Sequence, residues 1–461
     1  MRMRFVSILM TLTLALSLGC TSPVQPSASV GPFAHPVTIL VDFEDDATMQ
    51  DIHETEQELG LKLVPNSVVF HGTKLMKVTV EASDADRLMG LIRDDWDIEA
   101  VELSQTYEAY ALKGGANFDM PNDPFYEKQA WHMEMINLRE AWQYATGKGV
   151  TVAIVDTGIS GKDSKYPMVP DLKETCMVPG YNFVDDNTDP YDRNSHGTHV
   201  GSSVAESTNN NLGGVGVAYN ACLMPLKVLS DRGSGSTEDI AEAIVWAVDN
   251  GAQVVNMSLG GGGYSQVMQN AITYAVDNNV IVMCAAGNGG RAKIEFPAAM
   301  DGCLAISSVG PDANLAYYSS YGEGGEGIFI ASPGGNTRDF GNDGGVWQST
   351  VDPNDPNQWV MAPYQGTSMA TPIAAGSVAL VISAFLEADG DYDREDVIDL
   401  LADTATEKGD DFRYGYGIIN PAEAVKAISG SSLPYQILAA FVLAALIAFV
   451  ASRKMLRRPR T

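Results

Sequence analysis

Gly149-Val-Thr-Val-Ala-Ile-Val-Asp-Thr-Gly158 is the stretch that decides the fold of this chain of 461 residues. Its first seven residues are mostly apolar and β-branched, which is typical of a strand buried on both faces of a parallel sheet. Asp156 follows this run directly. It therefore falls at the carboxyl end of a strand, where open α/β sheets hold their ligands. The stretch predicts a buried strand with a carboxylate at its exit.

Strand-like and helical segments alternate after this point. Ala221–Leu229 is strand-like, Thr237–Asn250 has helical spacing, and Val254–Leu259 is strand-like again. This alternation predicts an α/β fold, a parallel sheet with helices on both faces. We expect one domain over residues 122–428, about 300 residues, which is close to the practical upper size for a single core.

Two further motifs place chemically active side chains at the starts of helices. His196 begins His-Gly-Thr-His-Val-Gly-Ser-Ser-Val-Ala205, a predicted helix, and Ser368 opens an Ala-rich segment, residues 369–386, long enough for a buried helix. A serine at a helix N-terminus lies beside free backbone N–H groups and the positive end of the helix dipole. Between these motifs, Val280–Ala286 is a predicted buried strand that ends in Gly287-Asn288.

Asp156, His196 and Ser368 are together the residue types of an activated hydroxyl nucleophile. A serine hydroxyl needs an adjacent base at neutral pH, and a histidine held by a carboxylate serves as that base. Each motif has a structural interpretation when it is taken singly. The motif at Asp156 fits a turn that ends a strand, and the two histidines after Ser195 fit a metal-binding pair or the start of a helix. Gly-Thr-Ser at Ser368 fits a helix cap. Their joint occurrence favours acyl transfer over these structural interpretations.

In these motifs, and in their chain order Asp, His, Ser, the sequence resembles the subtilisin-like serine proteases, thermitase-like members in particular. The resemblance covers residues 122–428 and includes Asn256-Met-Ser-Leu-Gly-Gly261, Phe296-Pro-Ala298, Tyr318-Ser-Ser-Tyr-Gly322 and Tyr414-Gly-Tyr-Gly-Ile-Ile-Asn420. It implies a serine endopeptidase that acts on polypeptides and uses no organic cofactor. A catalytically idle fold used as a surface binding module, and a narrow processing protease, are the alternatives.

The resemblance also implies roles for individual residues. Asp156 would orient His196, and the amide of Asn288 would bind the oxyanion together with the Ser368 N–H. His199 would be structural and hydrogen-bonded in the core. Two segments would flank a bound peptide and take it up as an added strand, namely Gly233-Ser234-Gly235 and Ser258-Leu259-Gly260.

Glu295 precedes Phe296-Pro297, where the family has the floor of its main specificity pocket. The pocket walls would be Ser258–Gly260 and Ala285–Gly287. An inward-pointing Glu295 would favour a basic substrate residue on the amino side of the scissile bond. A solvent-facing Glu295 remains the alternative.

Calcium binding is a further implication of the resemblance, because Ca²⁺ prefers carboxylate, amide and carbonyl oxygens. The matched site would take side-chain oxygens from Asp123, Asp171 and Asn210 and backbone carbonyls from Ser207, Leu212 and Gly214. Asp185 and Asn187 are the candidates for a second, weaker site. The structural alternative is that Asp and Asn are simply common in surface loops.

The N-terminus carries predicted export and inhibitor segments. Residues 1–20 have the basic start and apolar run of a signal peptide, whose end at Cys20 resembles a lipoprotein signal, with ordinary cleavage as the alternative. The Ser/Pro-rich residues 21–36 are typical of a linker. Residues 37–112 show a βαββαβ order, which predicts a small α+β ferredoxin-like unit. This unit resembles the inhibitory propeptide of these proteases, with an unrelated adaptor domain as the alternative.

The elements of this unit are predicted as strands at Val37–Phe43, Ser67–Phe70, Lys74–Val80 and Ile98–Leu103, and helices at Asp46–Leu59 and Ala82–Asp94. The propeptide tail would fill the substrate groove, and the loop Ala111–Pro121 would hold the self-cleavage region.

Residues 435–451 are apolar and uncharged and are followed by a basic flank, Arg453-Lys-Met-Leu-Arg-Arg-Pro-Arg460. Seventeen apolar residues can just span a bilayer, and the flank predicts a cytoplasmic C-terminus. The protein would then be exported and anchored with its catalytic domain outside, unless this segment is a removable sorting tail.

The formal net charge is −29, so we expect no nucleic-acid partner, because phosphate binding needs a basic patch. Cys222 and Cys284 fall in predicted strands and are expected to be small core residues, and no disulfide pairing follows from the sequence. The Gly/Asp-rich residues 334–363 are expected to form a surface insertion.

Overall fold

The computed structural model describes residues 36–43, 47–65, 74–93, 98–104, 106–109, 125–161, 166–323 and 327–429. Several predictions lie outside these residues: the signal peptide with Cys20, nearly all of the linker, the strand at 67–70, the loop at 111–121, the calcium candidate Asp123 and the span at 435–451.

The N-terminal unit is a four-stranded antiparallel sheet with two helices on one face. Its strand order is β2-β3-β1-β4, which is the ferredoxin-like order expected from the sequence. Ile39, Val41 and Phe43 of the central strand are buried against the helices. The elements are β1 (Val37–Phe43), α1 (Met49–Leu59), β2 (Val64–Pro65), β3 (Leu75–Val80), α2 (Ala82–Arg93) and β4 (Ile98–Leu103).

One more strand, β5 (Thr106–Ala109), follows this sheet without joining it.

The main domain is built on an eight-stranded parallel sheet. Seven strands follow the order β15-β14-β13-β11-β6-β9-β7, and β8 also pairs with β9. The strands are β6 (Thr151–Asp156), β7 (Cys176–Met177), β8 (Tyr181–Asn182), β9 (Cys222–Lys227), β11 (Val254–Met257), β13 (Ile281–Ala285), β14 (Cys303–Val309) and β15 (Ile330–Pro333). Two short strands, β10 (Ser234–Ser236) and β12 (Leu259–Gly260), lie outside this sheet and pair with β5.

Helices cover both faces of the sheet, as the alternating sequence pattern predicts. The helices are α3 (Tyr126–Met135), α4 (Leu138–Ala141), α5 (His196–Ala205), α6 (Thr237–Asp249), α7 (Gln266–Asp277), α8 (Thr337–Phe340), α9 (Thr367–Ala388), α10 (Arg394–Asp403) and α11 (Asp411–Tyr414). Residues 421–429 are also helical.

Alternate residues of each strand face opposite cores, as the two-residue period of a strand requires. In β6, Val152 and Ile154 pack into the core that contains α5 and α9. Ala153 and Val155 face the core that contains α6 and α7. The central strands are therefore apolar on both sides, which is why they form near-continuous hydrophobic runs in the sequence.

The expected surface insertion is in fact a largely buried hairpin, so that prediction is wrong. It consists of β16 (Val346–Asp352) and β17 (Asp355–Tyr364), and the first six residues of β16 are buried. The hairpin packs on α5, where the His199 ring stacks on Tyr364 with a centroid distance of 4.4 Å. His199 Nε2 donates to the carbonyl oxygens of Val346 and Ala362, both at 3.0 Å. The predicted structural role of His199 agrees with these contacts.

The four described cysteines form two disulfides, a pairing that the sequence left open. Cys284 is a buried core residue, as expected, whereas Cys222 is half-buried. Cys222 of β9 is bonded to Cys176 of the neighbouring β7, and Cys284 of β13 to Cys303 of the neighbouring β14. Parallel pairing of these strands brings each pair together. Oxidised pairs fit an exported protein.

Within the described part of the chain, one helix is long and apolar enough to cross a membrane. This helix is α9, and 89% of its most apolar window is buried inside the protein. It is the central core helix of the domain.

Candidate active site

Asp156 and His196 form a buried hydrogen-bonded pair at the carboxyl edge of the sheet. Asp156 is the last residue of β6, and His196 is the first residue of α5. His196 Nδ1 lies 2.8 Å from Oδ1 and 3.0 Å from Oδ2 of Asp156. Both side chains are almost completely buried, with exposed fractions of 1% and 0%. Because Nδ1 donates to the carboxylate, Nε2 is the nitrogen that can accept a proton.

A close approach of two backbones makes this pair possible. A Cβ atom on Gly197 would lie 2.2 Å from the carbonyl oxygen of Gly158 and 3.0 Å from Asp156 Oδ1. Thr157 N donates to Asp156 Oδ1 at 2.6 Å, which holds the carboxylate at the strand exit. Only glycine fits after His196, which gives a physical reason for the His-Gly pair.

Ser368 is the second residue of α9 and is buried. Its Oγ donates to the Ser258 carbonyl at 2.9 Å, and Ser258 Oγ donates back to the Ser368 carbonyl at 2.9 Å. His196 Nε2 has no hydrogen-bond partner among the described residues. The hydroxyl of Ser368 is thus bonded to Ser258 and not to His196.

Asn288 lies after β13, beside the start of α9. Its Oδ1 accepts hydrogen bonds from the N–H and the hydroxyl of Thr367, both at 3.0 Å. These bonds fix the amide orientation, so its NH₂ end points away from Thr367. A donor held in this way, next to the N-terminal turn of α9, suits the binding of a developing oxyanion.

Two predicted groove segments flank an extended strand from the N-terminal part of the chain. The strand β5 is the middle strand of the antiparallel sheet β10-β5-β12. Its partners are Ser234–Ser236 on one side and Leu259–Gly260 on the other. Gly233 precedes β10 in a left-handed conformation with φ +80°. The chain's own segment therefore occupies the position in which a peptide would be added as a strand.

Glu295 packs against the backbone that leads to Asn288. A Cβ atom on Gly287 would lie 2.8 Å from Glu295 Cγ, and Glu295 N donates to the Ala286 carbonyl at 3.0 Å. Its carboxylate is 18% exposed and lies 3.6 Å from the exposed guanidinium of Arg291. Glu295 thus borders the predicted wall segment Ala285–Gly287.

The first predicted calcium site contains two buried carboxyl groups, Asp171 in the turn Pro170–Leu172 and Glu206 at the C-terminal end of α5. Asp171 Oδ2 and both carboxyl oxygens of Glu206 make no regular hydrogen bond among the described residues, and the two carboxyl groups lie against each other. Burial raises the pKa of Asp171 to about 6. Burial, followed by the negative charge of Asp171, raises the pKa of Glu206 well above its usual value. Such orphaned oxygens fit a hard cation, which would offset both charges.

The remaining described ligands predicted for this site lie in a separate loop, residues 207–214, which follows α5. Asn210 donates from Nδ2 to Asp171 Oδ1, and its own Oδ1 accepts from Leu212 N at 2.9 Å. Ser207 N donates to the Asp171 carbonyl at 3.1 Å. The backbone of Gly214 also donates a hydrogen bond to the Asp171 carboxyl group, which only partly offsets the effect of burial on its pKa. The donor set of the loop therefore surrounds Asp171.

The second predicted calcium loop is arranged differently. Asp185 Oδ2 accepts from Asn182 Nδ2 at 3.1 Å, and Asn187 Oδ1 accepts from Asp189 N at 2.8 Å. Asp185 and Asn187 are exposed. Over the described ranges, no group of three or more His, Cys, Asp or Glu side chains converges as a metal cluster would.

Sequence reasoning missed three side chains near the site: Asp192, Glu206 and the hydroxyl of Ser258. Asp192 and Glu206 are fully buried charged groups. Their one sequence signal is their distance from His196 along the chain: Asp192 lies four residues before it and Glu206 ten residues after it. Periodicity cannot indicate which residues become buried, because that depends on the elements packed above them.

The fold and the site together define a serine hydrolase of the α/β type, with a Ser, a His and an Asp at the carboxyl edge of a parallel sheet. A model of the subtilase family matches residues 147–417. The chain belongs to the subtilase family, and it is a subtilisin-like serine endopeptidase that acts on polypeptides.

Named relatives agree with this assignment. The halolysin-like extracellular serine protease Nep of Natrialba magadii is 33% identical over 423 residues, 89% of this chain and 70% of that protein. Thermitase of Thermoactinomyces vulgaris is 33% identical over 271 residues, 57% of this chain and 85% of thermitase. A solved protease structure from Pseudoalteromonas arctica is 35% identical with a TM-score of 0.58, covering 67% of this chain and 99% of that one.

Proposed function

We propose that this chain is an exported endopeptidase, made as a zymogen, in which Ser368 attacks the peptide carbonyl. His196 Nε2 takes the hydroxyl proton as the Oγ–C bond forms and then gives it to the leaving amine. Asp156 holds the Nδ1 tautomer and stabilises the imidazolium. The Asn288 amide and the Ser368 N–H stabilise the oxyanion. Water then attacks the acyl-enzyme, with His196 again as the base.

The observation that carries this proposal is the buried Asp156–His196 pair, with 2.8 Å between Nδ1 and Oδ1. At the same edge of the sheet, Ser368 in the first turn of α9 is bonded to Ser258, directly after β11. A fluorophosphonate probe tests it directly. We expect labelling of the mature enzyme and none in Ser368→Ala. Ser377→Ala, on the same helix, is the matched control and should keep its label, since Ser377 Oγ only donates to the Ile373 carbonyl. Equal labelling of Ser368→Ala and the parent would refute the assignment.

The N-terminal unit is proposed to be an intramolecular inhibitor. The position of β5 between β10 and β12 supports this role, because a substrate could not use the groove while β5 is there. Contacts outside the groove support it as well. The Glu102 carboxylate accepts from Ser265 Oγ and from Gln266 N at the start of α7, and Ser104 donates to Glu238 on α6. A carboxylate at a helix N-terminus is favourable.

A protein of residues 37–112 added to the mature enzyme should inhibit it competitively. The same protein lacking residues 105–112 should bind but leave the groove open to short peptide substrates. Equal inhibition by both proteins would contradict the proposal that the tail occludes the groove.

Export and membrane attachment are proposed from the two terminal segments, and Nep, a relative described as extracellular, supports export. Lipidation of Cys20 and insertion of residues 435–451 are separate anchors in this proposal. Cell fractionation of the parent, Cys20→Ala and a chain ending at residue 430 should distinguish them. Protein that is soluble in the cytoplasm in all three cases would contradict export.

Glu295 is proposed to select a basic residue on the amino side of the scissile bond. Its position against Gly287, before Asn288, supports this role. In a peptide library, Glu295→Gln should lower kcat/KM for Arg and Lys substrates about tenfold or more and change Leu substrates little. Glu395→Gln, a surface carboxylate on α10, is the control. A parent enzyme without preference for Arg or Lys would contradict the role.

Calcium is proposed to bind at the first predicted site, where Asp171 and Asn210 would supply side-chain oxygens and Ser207, Leu212 and Gly214 carbonyl oxygens. Bound Ca²⁺ would tie the loop to the domain and oppose unfolding. In the Ser368→Ala background, which avoids autolysis, chelation should lower the Tm, and Asp171→Asn should abolish the response. An unchanged Tm in excess chelator would contradict calcium binding.

A further inference from the structure

One buried carboxylate of the domain lies next to the Asp156–His196 pair without touching the expected position of a substrate. Asp192 is fully buried, four residues before His196, in the loop between β8 and α5. A buried carboxylate is costly unless hydrogen bonds satisfy it. Asp192 accepts four: Oδ1 from Thr157 Oγ1 at 2.9 Å, Asn194 N at 2.8 Å and Ser195 N at 3.0 Å, and Oδ2 from Thr198 N at 2.9 Å.

Three of these donors are backbone N–H groups at the start of α5. The N-cap residue, Ser195, makes no side-chain cap bond and has a left-handed φ of +90°. This backbone conformation costs a non-glycine residue about 1–3 kcal/mol. Asp192 supplies the cap that Ser195 does not, and its negative charge lies at the positive end of the helix dipole. Asp192 therefore holds the turn from which His196 projects.

The fourth donor, the hydroxyl of Thr157, connects Asp192 to the end of β6, which carries Asp156. Thr157 follows Asp156 directly, and its hydroxyl both donates to Asp192 and accepts from Gly197 N at 2.8 Å. The residues on either side of His196 and the residue after Asp156 thus share one small network. A shift of α5 relative to β6 would break several of these bonds at once.

We propose that Asp192 is a positioning residue for catalysis, which fixes His196 against Asp156 and supports the imidazolium through its buried charge. This inference rests on the proposed roles of His196 and Asp156. Asp192 does not touch the reacting atoms, so it acts only through the geometry and the charge state of the histidine.

Other charged and titratable groups around Asp192 also contribute to the electrostatic environment of His196. Lys227 of β9 donates from Nζ to the Thr157 carbonyl at 2.7 Å, so a cation supports the same turn. Tyr364 of β17 and Tyr191 of the same loop both face Asp192, and burial raises the pKa of each to about 12. Both phenols are therefore neutral at working pH.

Asp231 is ion-paired with Lys227 at 3.1 Å and with Arg193 at 3.4 Å, so its charge is offset. His199, one turn after His196 on α5, interacts electrostatically with His196.

The test is the kinetics of Asp192→Asn, which keeps the size of the side chain but removes its charge and places an NH₂ group against a donor. We expect kcat to fall about 10- to 100-fold, as for loss of one hydrogen bond to a charged group, with KM changed less than threefold. The acid limb of kcat/KM should move to lower pH by roughly half a unit to one unit, because imidazolium formation loses a nearby anion.

Asp393→Asn is the matched control. Asp393 caps α10 by accepting from Glu395 N at 2.9 Å, far from the active site. Its substitution should lower the Tm but leave kcat and the acid limb unchanged. If Asp192→Asn behaves like Asp393→Asn, with only a lower Tm, the role is merely structural and the inference is overturned.

Thr157→Val keeps the test decisive if Asp192→Asn does not fold. It removes the hydrogen bond from Thr157, the residue after Asp156, to Asp192, but it leaves the charge of Asp192 in place. We therefore expect kcat to fall while the acid limb of kcat/KM stays at the same pH. Unchanged kcat in Thr157→Val would overturn the inference. A parent enzyme without peptidase activity, or one unaffected by Ser368→Ala, would instead refute the proposed function, so the two failures are distinguishable.

Discussion

A buried, unpartnered histidine should make the stability of this domain fall steeply with acidification. His132 on α3 is completely buried, and neither of its ring nitrogens has a hydrogen-bond partner among the described residues. Burial, followed by the nearby His199, lowers its pKa from 6.5 to about 3. Between these values the unfolded chain binds a proton that the folded protein does not. Stability is therefore fully present above pH 6.5 and is lost as the pH falls towards 3.

The magnitude follows from the two pKa values, 6.5 and about 3. Each pH unit in this window costs about 1.4 kcal/mol per buried histidine. Between pH 7.5 and 4.5 the loss from His132 alone is about 2.6 kcal/mol of unfolding free energy. That is a large fraction of a typical total stability of about 5–15 kcal/mol.

The perturbation is His132→Phe, which removes the titrating ring and leaves no donor or acceptor unpaired. Urea unfolding in the Ser368→Ala background should be measured at pH 7.5 and pH 4.5. We expect the variant to lose about 2.6 kcal/mol less than the parent over this range, whatever its stability at pH 7.5. The raised pKa values of Asp171 and Glu206 act in the opposite direction, but they are present in both proteins and cancel in the difference.

Met133→Leu is the control for packing. Met133 is the adjacent residue, is equally buried and does not titrate. This substitution should move the stability at both pH values by the same amount. If the His132→Phe and parent curves run parallel between pH 7.5 and 4.5, His132 is not neutral in the folded protein, and the reasoning is refuted.

Three further outcomes are expected. Removing the bridge between Cys176 and Cys222, which closes 46 residues, should cost about 4 kcal/mol of unfolding free energy, measured in urea with the double Ala variant. An unchanged urea midpoint of unfolding in that variant would contradict a stabilising role for this disulfide. Gly197→Ala should abolish peptidase activity, since its Cβ would meet the Gly158 carbonyl at 2.2 Å, and activity near the parent level would show that the turn can relax. Glu102→Ala should weaken inhibition by the N-terminal unit about 10- to 100-fold in Ki, and an unchanged Ki would remove the helix-capping contact from the interface.

Local patterns in the sequence were sufficient for most of the regular structure. The strand Ile98–Leu103 and the helix His196–Ala205 have the predicted bounds, because apolar periodicity and flanking polar residues mark them locally. The parallel sheet followed from the alternation of such segments. The Asp156–His196 pair could be expected because both motifs end or begin an element at the same edge of the sheet.

What the sequence could not indicate depends on tertiary contacts. The hairpin Val346–Tyr364 lies in a Gly/Asp-rich region typical of a surface loop. It is buried because α5 and α3 both pack against it. The disulfide partners follow from strand neighbours that no local pattern specifies. The orientation of the Ser368 hydroxyl towards Ser258 depends on a rotamer, and the four donors around Asp192 come from two separate elements.

The buried hairpin also constrains how this enzyme can be altered by engineering or by evolution. One end of it is bonded to His199 on α5, the helix that begins with the proposed general base His196. Its second strand ends at Tyr364, four residues before the proposed nucleophile Ser368. A change in the length of this hairpin would therefore alter the surroundings of both proposed catalytic residues. We therefore expect insertions to be tolerated at its exposed tip, around residues 353–357, and to be selected against in its body.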